Sequence, residues 1–207
     1  MSAAGFTFDV VPAEIDERPL AGEAPETYVE RLADWKACAI ACRIPGSVVI
    51  GADTVVVVSG EMLGKPDSAA DATRMLKLLS GTSHDVLTGV SIHGKGRRAG
   101  AVEATRVRFL PLNDSEIAWY VSTGEPFDKA GGYAVQGFAS RFIERIEGSY
   151  SNVVGLPVAR VYRLLVEAGI IEIGDLTRHH KGDNLEESSS GFSHQFSVSN
   201  VLKTAKE

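Results

Sequence analysis

The chain has 207 residues, of which 44% are hydrophobic and 23% are charged, a balance typical of one globular domain. Its net charge of −6 and the lack of a basic stripe argue against nucleic acid as a partner. No run approaches the roughly 18 apolar residues of a membrane span, and the first residues lack the pattern of a signal peptide, so we predict a cytoplasmic protein without a membrane partner.

Strands and helices alternate in the first half of the chain. Residues 7–11 form a short β-like run, and residues 26–43 are predicted to form a helix that stops before Pro45. Residues 48–58 are rich in β-branched side chains, which is typical of a strand buried on both faces. A further helix is predicted between Ser68 and Gly81.

The second half continues this alternation and then changes in character. Strands are predicted at residues 86–92, 102–109 and 138–146, and helices at residues 114–122 and 157–169. Strands interleaved with helices predict an α/β fold, and we assign one domain to residues 1–173. Residues 174–207 are polar and rich in serine, so we predict a disordered tail there.

Two charged residues interrupt apolar patterns. Asp53 lies in the middle of the apolar strand, where an ionised carboxylate is costly to bury unless it is paired. It is either a general base or metal ligand with a shifted pKa, or a carboxylate that caps a nearby loop. Lys36 lies in the centre of an apolar helical stripe, so its ammonium either extends to solvent or meets an anion.

Two loops contain a lysine beside glycine. The segment Leu63-Gly64-Lys65-Pro66 follows the Asp53 strand and, taken alone, is typical of a surface turn. The loop at residues 128–133, Asp-Lys-Ala-Gly-Gly-Tyr, places opposite charges beside glycines. Such loops can wrap phosphate, although short glycine motifs have many false positives.

Taken together, these segments resemble the Maf family of nucleoside triphosphate pyrophosphatases. The resembling segments are residues 49–56, 63–66, 79–81 with His84, 128–131, 136–137 and 148–157, together with residues 15–17 and 31–33 and Lys36. Each segment is weak evidence alone, but all occur in the family's order and at plausible spacing. The resemblance implies a Maf-like (inosine triphosphatase-like) fold, in which a mixed sheet is flanked by helices and a cleft separates two lobes.

The resemblance also implies an activity, which is hydrolysis of a nucleoside triphosphate between its α and β phosphates. By analogy Asp53 activates water and, together with Glu17, holds a divalent cation, Mg²⁺ or Mn²⁺. Lys36, Lys65 and Lys129 would bind the triphosphate. These roles agree with phosphoryl chemistry, which depends mostly on positioning and on charge stabilisation.

Thr54 and Gln136 are similar to the residues at these positions in the branch of the family that acts on dTTP and UTP. Modified pyrimidine nucleotides are further candidate substrates. An amide such as Gln136 can read a pyrimidine edge through a paired donor and acceptor. We therefore expect a pyrimidine nucleoside triphosphate as the substrate.

One family motif is not found in the sequence. Family members open with a strand and a turn of the type Ser-x-Ser-Pro-Arg-Arg, whereas this sequence begins shortly before Gly5. We therefore expect weaker phosphate binding and an open sheet edge, through which a homodimer could form. The alternatives to an active pyrophosphatase are a catalytically impaired fragment and a non-catalytic nucleotide- or partner-binding protein linked to division control.

Overall fold

A mixed sheet forms the centre of the computed structural model, which describes residues 5–171 and 196–199. Within these residues the sheet has seven strands in the order β1-β7-β2-β4-β5-β6, with β3 paired to β2 beside that path. The strands are β1 (Phe8–Val10), β2 (Val48–Val58), β3 (Glu61–Leu63), β4 (Ser83–Gly94), β5 (Arg97–Phe109), β6 (Ile143–Glu147) and β7 (Phe196–Ser199). The helices are α1 (Pro25–Ala41), α2 (Ala69–Leu79), α3 (Asp114–Ser122), α4 (Tyr150–Val154) and α5 (Val158–Glu167).

The direction of the strands changes at β2. Strands β2, β4, β5 and β6 are successive antiparallel neighbours, whereas β7 runs parallel to both β1 and β2. The β4–β5 hairpin turns at Lys95 and Gly96, which have φ angles of 50° and 72°. A two-residue hairpin turn of type I′ requires positive φ at both positions. The predicted mixed sheet with flanking helices is confirmed.

Side chains of β2 alternate between two layers of helices. Val49 and Val55 face α1 on one side of the sheet. On the other side, Ile50 and Ala52 belong to a core that includes α5, and Val56 belongs to a second core that includes α2 and α3. The boundary between these two cores therefore falls at Thr54 of β2, and the neighbouring Asp53 points to the α1 side of the sheet.

Most predicted elements agree with the structure, and the predicted helix at residues 114–122 coincides with α3. The strand predicted at residues 138–146 is wrong in its first half, because Phe138–Phe142 forms a 3-10 helix before β6 begins. The backbone N–H groups of Phe138 and Ala139 donate to the carboxylate of Glu125 and cannot join a strand ladder. Within residues 5–171 and 196–199, no helix is long and apolar enough to cross a membrane.

Strand β7 lies inside the segment that was predicted to be a disordered tail. It pairs with β1 on one side and with Val48–Gly51 of β2 on the other, so the edge expected to be open is paired there. The residues alternate between apolar and small polar side chains, which is a strand pattern, but four residues are too few to stand out in polar surroundings. Phe196–Ser199 thus departs from the predicted disorder, and the rest of residues 174–207 lies outside the described residues.

Candidate active site

The candidate site depends on the close packing of α1 against the sheet. Gly51 of β2 and Gly89 of β4 both face α1, and a Cβ atom at either position would overlap backbone atoms of Ala33 or Val29. Because both positions lack a side chain, the helix backbone rests directly on the sheet. Gly89 is the cross-strand partner of Asp53, so α1 passes immediately beside that carboxylate.

Three charged side chains meet between α1, β2 and the loop that precedes α1. Nζ of Lys36 lies 2.5 Å from Oδ1 of Asp53 and 2.7 Å from Oε1 of Glu17. The side chains of Lys36 and Asp53 are 2% and 11% exposed, whereas 44% of the Glu17 side chain is exposed. Of the two interpretations left open for Lys36, the structure supports the one in which its ammonium meets an anion. The cluster reaches solvent through Glu17.

The position of Asp53 suits a proton acceptor. Burial raises the pKa of Asp53 above its usual value, although the positive charge of Lys36 opposes this rise. The charge of Lys65 also lowers the pKa of Asp53, so Lys65 lies close enough to act on the same carboxylate. A carboxylate with a raised pKa is a stronger base than an ordinary aspartate, which favours general-base catalysis near neutral pH.

The loop that carries Glu17 is fastened to α1. The hydroxyl of Tyr28 donates a 2.9 Å hydrogen bond to the backbone carbonyl of Glu17. Arg31 donates two hydrogen bonds of 2.6 Å to the Glu23 carboxylate and one of 3.3 Å to the carbonyl of Arg18. Sequence reasoning noted Arg31 only as part of a motif and missed Tyr28 and Glu23, because no local pattern signals a contact between this loop and the helix.

The two lysine-containing loops lie side by side. A backbone hydrogen bond of 2.9 Å from Gly131 to the carbonyl of Gly64 joins them. Lys65 is exposed, as a residue that receives a phosphate from solvent would be. The ammonium of Lys129 forms a 2.6 Å ion pair with its neighbour Asp128. Among the described contacts, Lys129 thus pairs within its own loop instead of joining the cluster around Asp53.

Neither of the two residues predicted to select the base is among the described contacts of the Asp53 carboxylate. Thr54 points to the opposite face of β2, because successive residues of a strand point to opposite faces. Its hydroxyl lies 2.9 Å from that of Thr88 and 3.5 Å from the carbonyl oxygen of Gly155. Gln136 is exposed, in a turn beyond the Lys129 loop. The specificity roles of Thr54 and Gln136 stay predictions.

The two carboxylates could hold a divalent cation. Glu17 and Asp53 both contact the Lys36 ammonium, so their carboxylates lie close together, as two ligands of one cation would. Mg²⁺ is commonly bound through one or two carboxylates, with substrate phosphates and water completing its coordination. Within the described residues, no group of three or more His, Cys, Asp or Glu side chains is placed to hold a metal. Phosphate oxygens would therefore have to supply further ligands.

Several known proteins are similar to this chain in sequence. A family model described as "Maf-like protein" matches residues 1–168. A dTTP/UTP pyrophosphatase of Anaeromyxobacter dehalogenans (strain 2CP-C) is 54% identical over 169 residues, which cover 80% of this chain and 85% of that protein. Proteins of the same name from Geobacter sp. (strain M21) and Koribacter versatilis (strain Ellin345) are 51% and 49% identical, over 83% and 81% of this chain and 90% and 87% of their own lengths. The chain belongs to the Maf family.

Proposed function

We propose that this protein is a nucleoside triphosphate pyrophosphatase that hydrolyses dTTP and UTP to the nucleoside monophosphate and pyrophosphate. The observation that carries the proposal is the buried ammonium of Lys36 held between Glu17 and Asp53, with the charge of Lys65 acting on the same carboxylate. Relatives named for this activity are about half identical to the chain over most of their lengths, which supports the same substrate class.

In the proposed reaction, Asp53 accepts a proton from water as the water oxygen bonds to the α-phosphorus. The anhydride bond between the α and β phosphates breaks, and its electron pair leaves with pyrophosphate. Lys36 and Lys65 offset the negative charge that develops on the phosphate oxygens, which is the main requirement of phosphoryl transfer. Lys36 is buried and serves the inner end of the site, while Lys65 meets the triphosphate from solvent.

A divalent cation, Mg²⁺ or Mn²⁺, is part of this proposal and would neutralise phosphate charge when bound. Glu17 and Asp53 would be its protein ligands. The hydrogen bond from Tyr28 to the backbone of Glu17 and the ion pair of Arg31 with Glu23 keep the Glu17 loop against α1. The Glu17 carboxylate is thereby held on the same side of β2 as Asp53.

The test is pyrophosphate release by the purified chain from dTTP, UTP, dCTP, dATP and dGTP, with Mg²⁺, with Mn²⁺ and with a chelator. We expect release from dTTP and UTP and its loss in the chelator. Asp53→Asn should lower kcat by about 10²-fold or more, the scale of general-base catalysis, with the fold intact. Asp85→Asn, which removes a carboxylate from the adjacent strand β4, is the matched control and should change kcat little.

The outcomes separate the alternatives. Binding of dTTP or UTP without pyrophosphate release would support the non-catalytic alternative and contradict an enzyme. Equal release from purine and pyrimidine nucleotides would remove the base preference from the proposal. Turnover by Asp53→Asn close to the unsubstituted rate would exclude Asp53 as the base.

A further inference from the structure

The turn that carries Gln136 is held at both ends by one pair of side chains. A 3.1 Å backbone hydrogen bond from Gly137 to Ala134 closes the turn. Before the turn, the N–H of Ala134 donates to the hydroxyl of Tyr120 at 3.2 Å. After it, the N–H groups of Phe138 and Ala139 donate to the carboxylate of Glu125, at 2.8 and 3.3 Å.

The two clamping side chains are also bonded to each other. The hydroxyl of Tyr120 donates to Oε1 of Glu125 at 2.8 Å, so a continuous chain of hydrogen bonds runs from one end of the turn to the other. Tyr120 is fully buried and packs edge-to-face on Phe142, with ring centroids 5.5 Å apart. Burial raises the pKa of Tyr120, and its hydrogen bond to Glu125 adds to this rise, so the hydroxyl stays a donor.

The carboxylate of Glu125 lies directly against the backbone of the turn. A Cβ atom at Gly137 would overlap it, so the turn accepts only glycine there without a shift of Glu125. Val135 is buried, whereas Gln136 beside it is exposed. The backbone of the turn is therefore fixed while the amide of Gln136 stays free to meet a ligand.

We propose that Tyr120 and Glu125 are positioning residues that set the base preference by fixing the direction of Gln136. This inference rests on the proposed hydrolysis of pyrimidine nucleotides. An amide discriminates between bases only when its donor and acceptor are both aligned, because hydrogen bonds weaken steeply as their angle closes. The turn continues the loop that is hydrogen-bonded to the Lys65 loop, so Gln136 lies on the same stretch of chain as Lys129, next to a second lysine proposed to bind phosphate.

The experiment compares Glu125→Gln and Tyr120→Phe with the unsubstituted chain and with Gln136→Ala. Glu125→Gln keeps the shape of the side chain but replaces one carboxylate oxygen with an NH₂ group, which cannot accept a hydrogen bond from the N–H of Phe138 or Ala139. Tyr120→Phe removes the hydroxyl that accepts a hydrogen bond from the N–H of Ala134. The readouts are kcat/KM and, by calorimetry, affinity for UTP, dTTP and dCTP. We expect both variants, like Gln136→Ala, to lower the preference for dTTP over dCTP about 10-fold, mostly through KM.

Asn113→Ala is the matched control, because Asn113 caps the helix that carries Tyr120 and its described hydrogen bonds go to Ser115 and Glu116. It should lower the melting temperature while leaving the preference unchanged. If Gln136→Ala abolishes the preference but both clamp variants keep it, the positioning role is overturned and the proposed function stands. If Gln136→Ala keeps the preference, Gln136 does not read the base and the inference fails. If the unsubstituted chain binds without turnover, the affinity ratios still test the clamp after the proposed function has failed.

Discussion

Lys36 is almost completely buried, and its ammonium contacts two carboxylates. From the apolar stripe alone, replacement by methionine would be expected to leave stability equal or improved. The contacts change that expectation, because removal of one partner from a buried ion pair leaves an uncompensated charge. Asp53 would then lie in a largely apolar strand without its counter-ion.

For Lys36→Met we therefore expect the free energy of unfolding to fall by about 3 kcal/mol at neutral pH, measured by urea denaturation. Lys36→Met combined with Asp53→Asn should recover most of that loss, because the buried charge is removed with its partner. Lys65→Met is the matched control at an exposed position and should change stability by no more than about 0.5 kcal/mol. A Lys36→Met variant as stable as the unsubstituted chain would show that the ion pair makes no net contribution.

The sequence made Asp53 and Lys36 visible one at a time, since each places a charge inside an apolar pattern. It did not predict from the residues alone that they touch, because they are 17 positions apart and their contact depends on how α1 crosses β2. That crossing depends on Gly51 and Gly89, whose role appears only when the helix is placed on the sheet. Only the family resemblance indicated, before the structure, that Asp53 and Lys36 belong to one site.

At the scale of elements, the apolar stripe of α1 and the β-branched run of β2 were sufficient to predict both elements. The error at Phe138–Phe142 has a different origin, because the conformation there depends on the Glu125 carboxylate 13 positions away. Thr54 shows a related limit. Because Thr54 follows Asp53 directly in a strand, its side chain points to the other face of β2. Two neighbouring residues of one sequence motif therefore have different contacts.

Strand β4 carries a buried histidine that should make stability depend on pH. His84 lies 2.8 Å from the hydroxyl of Tyr133, and burial lowers its pKa to about 4. The unfolded chain, with an ordinary histidine pKa of about 6.5, binds the proton more readily between these two values. The stabilising contribution of neutral His84 is therefore complete above about pH 6.5 and is lost as pH falls towards about 4.

Between pH 7 and pH 5, we expect this histidine to reduce the free energy of unfolding by about 2 kcal/mol. The measurement is urea denaturation of the unsubstituted chain and of His84→Gln at both pH values. His84→Gln should be less stable at pH 7 but should lack this part of the pH dependence. The contributions of the other titrating groups cancel in the comparison. Parallel losses in both proteins would show that His84 is not kept neutral by burial.

At the scale of the whole molecule, the candidate site lies at a gap along one edge of β2. On that edge β7 pairs with Val48–Gly51 and β3 pairs with Val56–Val58, so residues 52–55 have no strand partner there among the described residues. Asp53 lies in this gap, just beyond the carboxyl end of the parallel strand β7. Crevices at the carboxyl ends of parallel strands are common ligand sites, which fits the charge cluster found here.

Because β7 is paired on both sides, it links β1 to the rest of the sheet and borders this gap. Proline at Val198 removes a backbone N–H from the ladder and is poorly tolerated inside a sheet. We expect Val198→Pro to lower the free energy of unfolding by about 2–3 kcal/mol and to weaken nucleotide binding at the adjacent site. Val198→Thr is the matched control, because threonine keeps the N–H and favours strands.

Melting temperature, urea denaturation and calorimetric titration with UTP measure these effects together. A loss of stability and affinity in Val198→Pro, but not in Val198→Thr, would show that the strand holds the sheet and the site in place. A loss of stability with unchanged affinity would show that β7 supports β1 while the site depends on β2, β3 and α1 alone. If all three proteins melt alike, the pairing of Phe196–Ser199 contributes nothing to the fold, and the edge of β2 is effectively open as the sequence predicts.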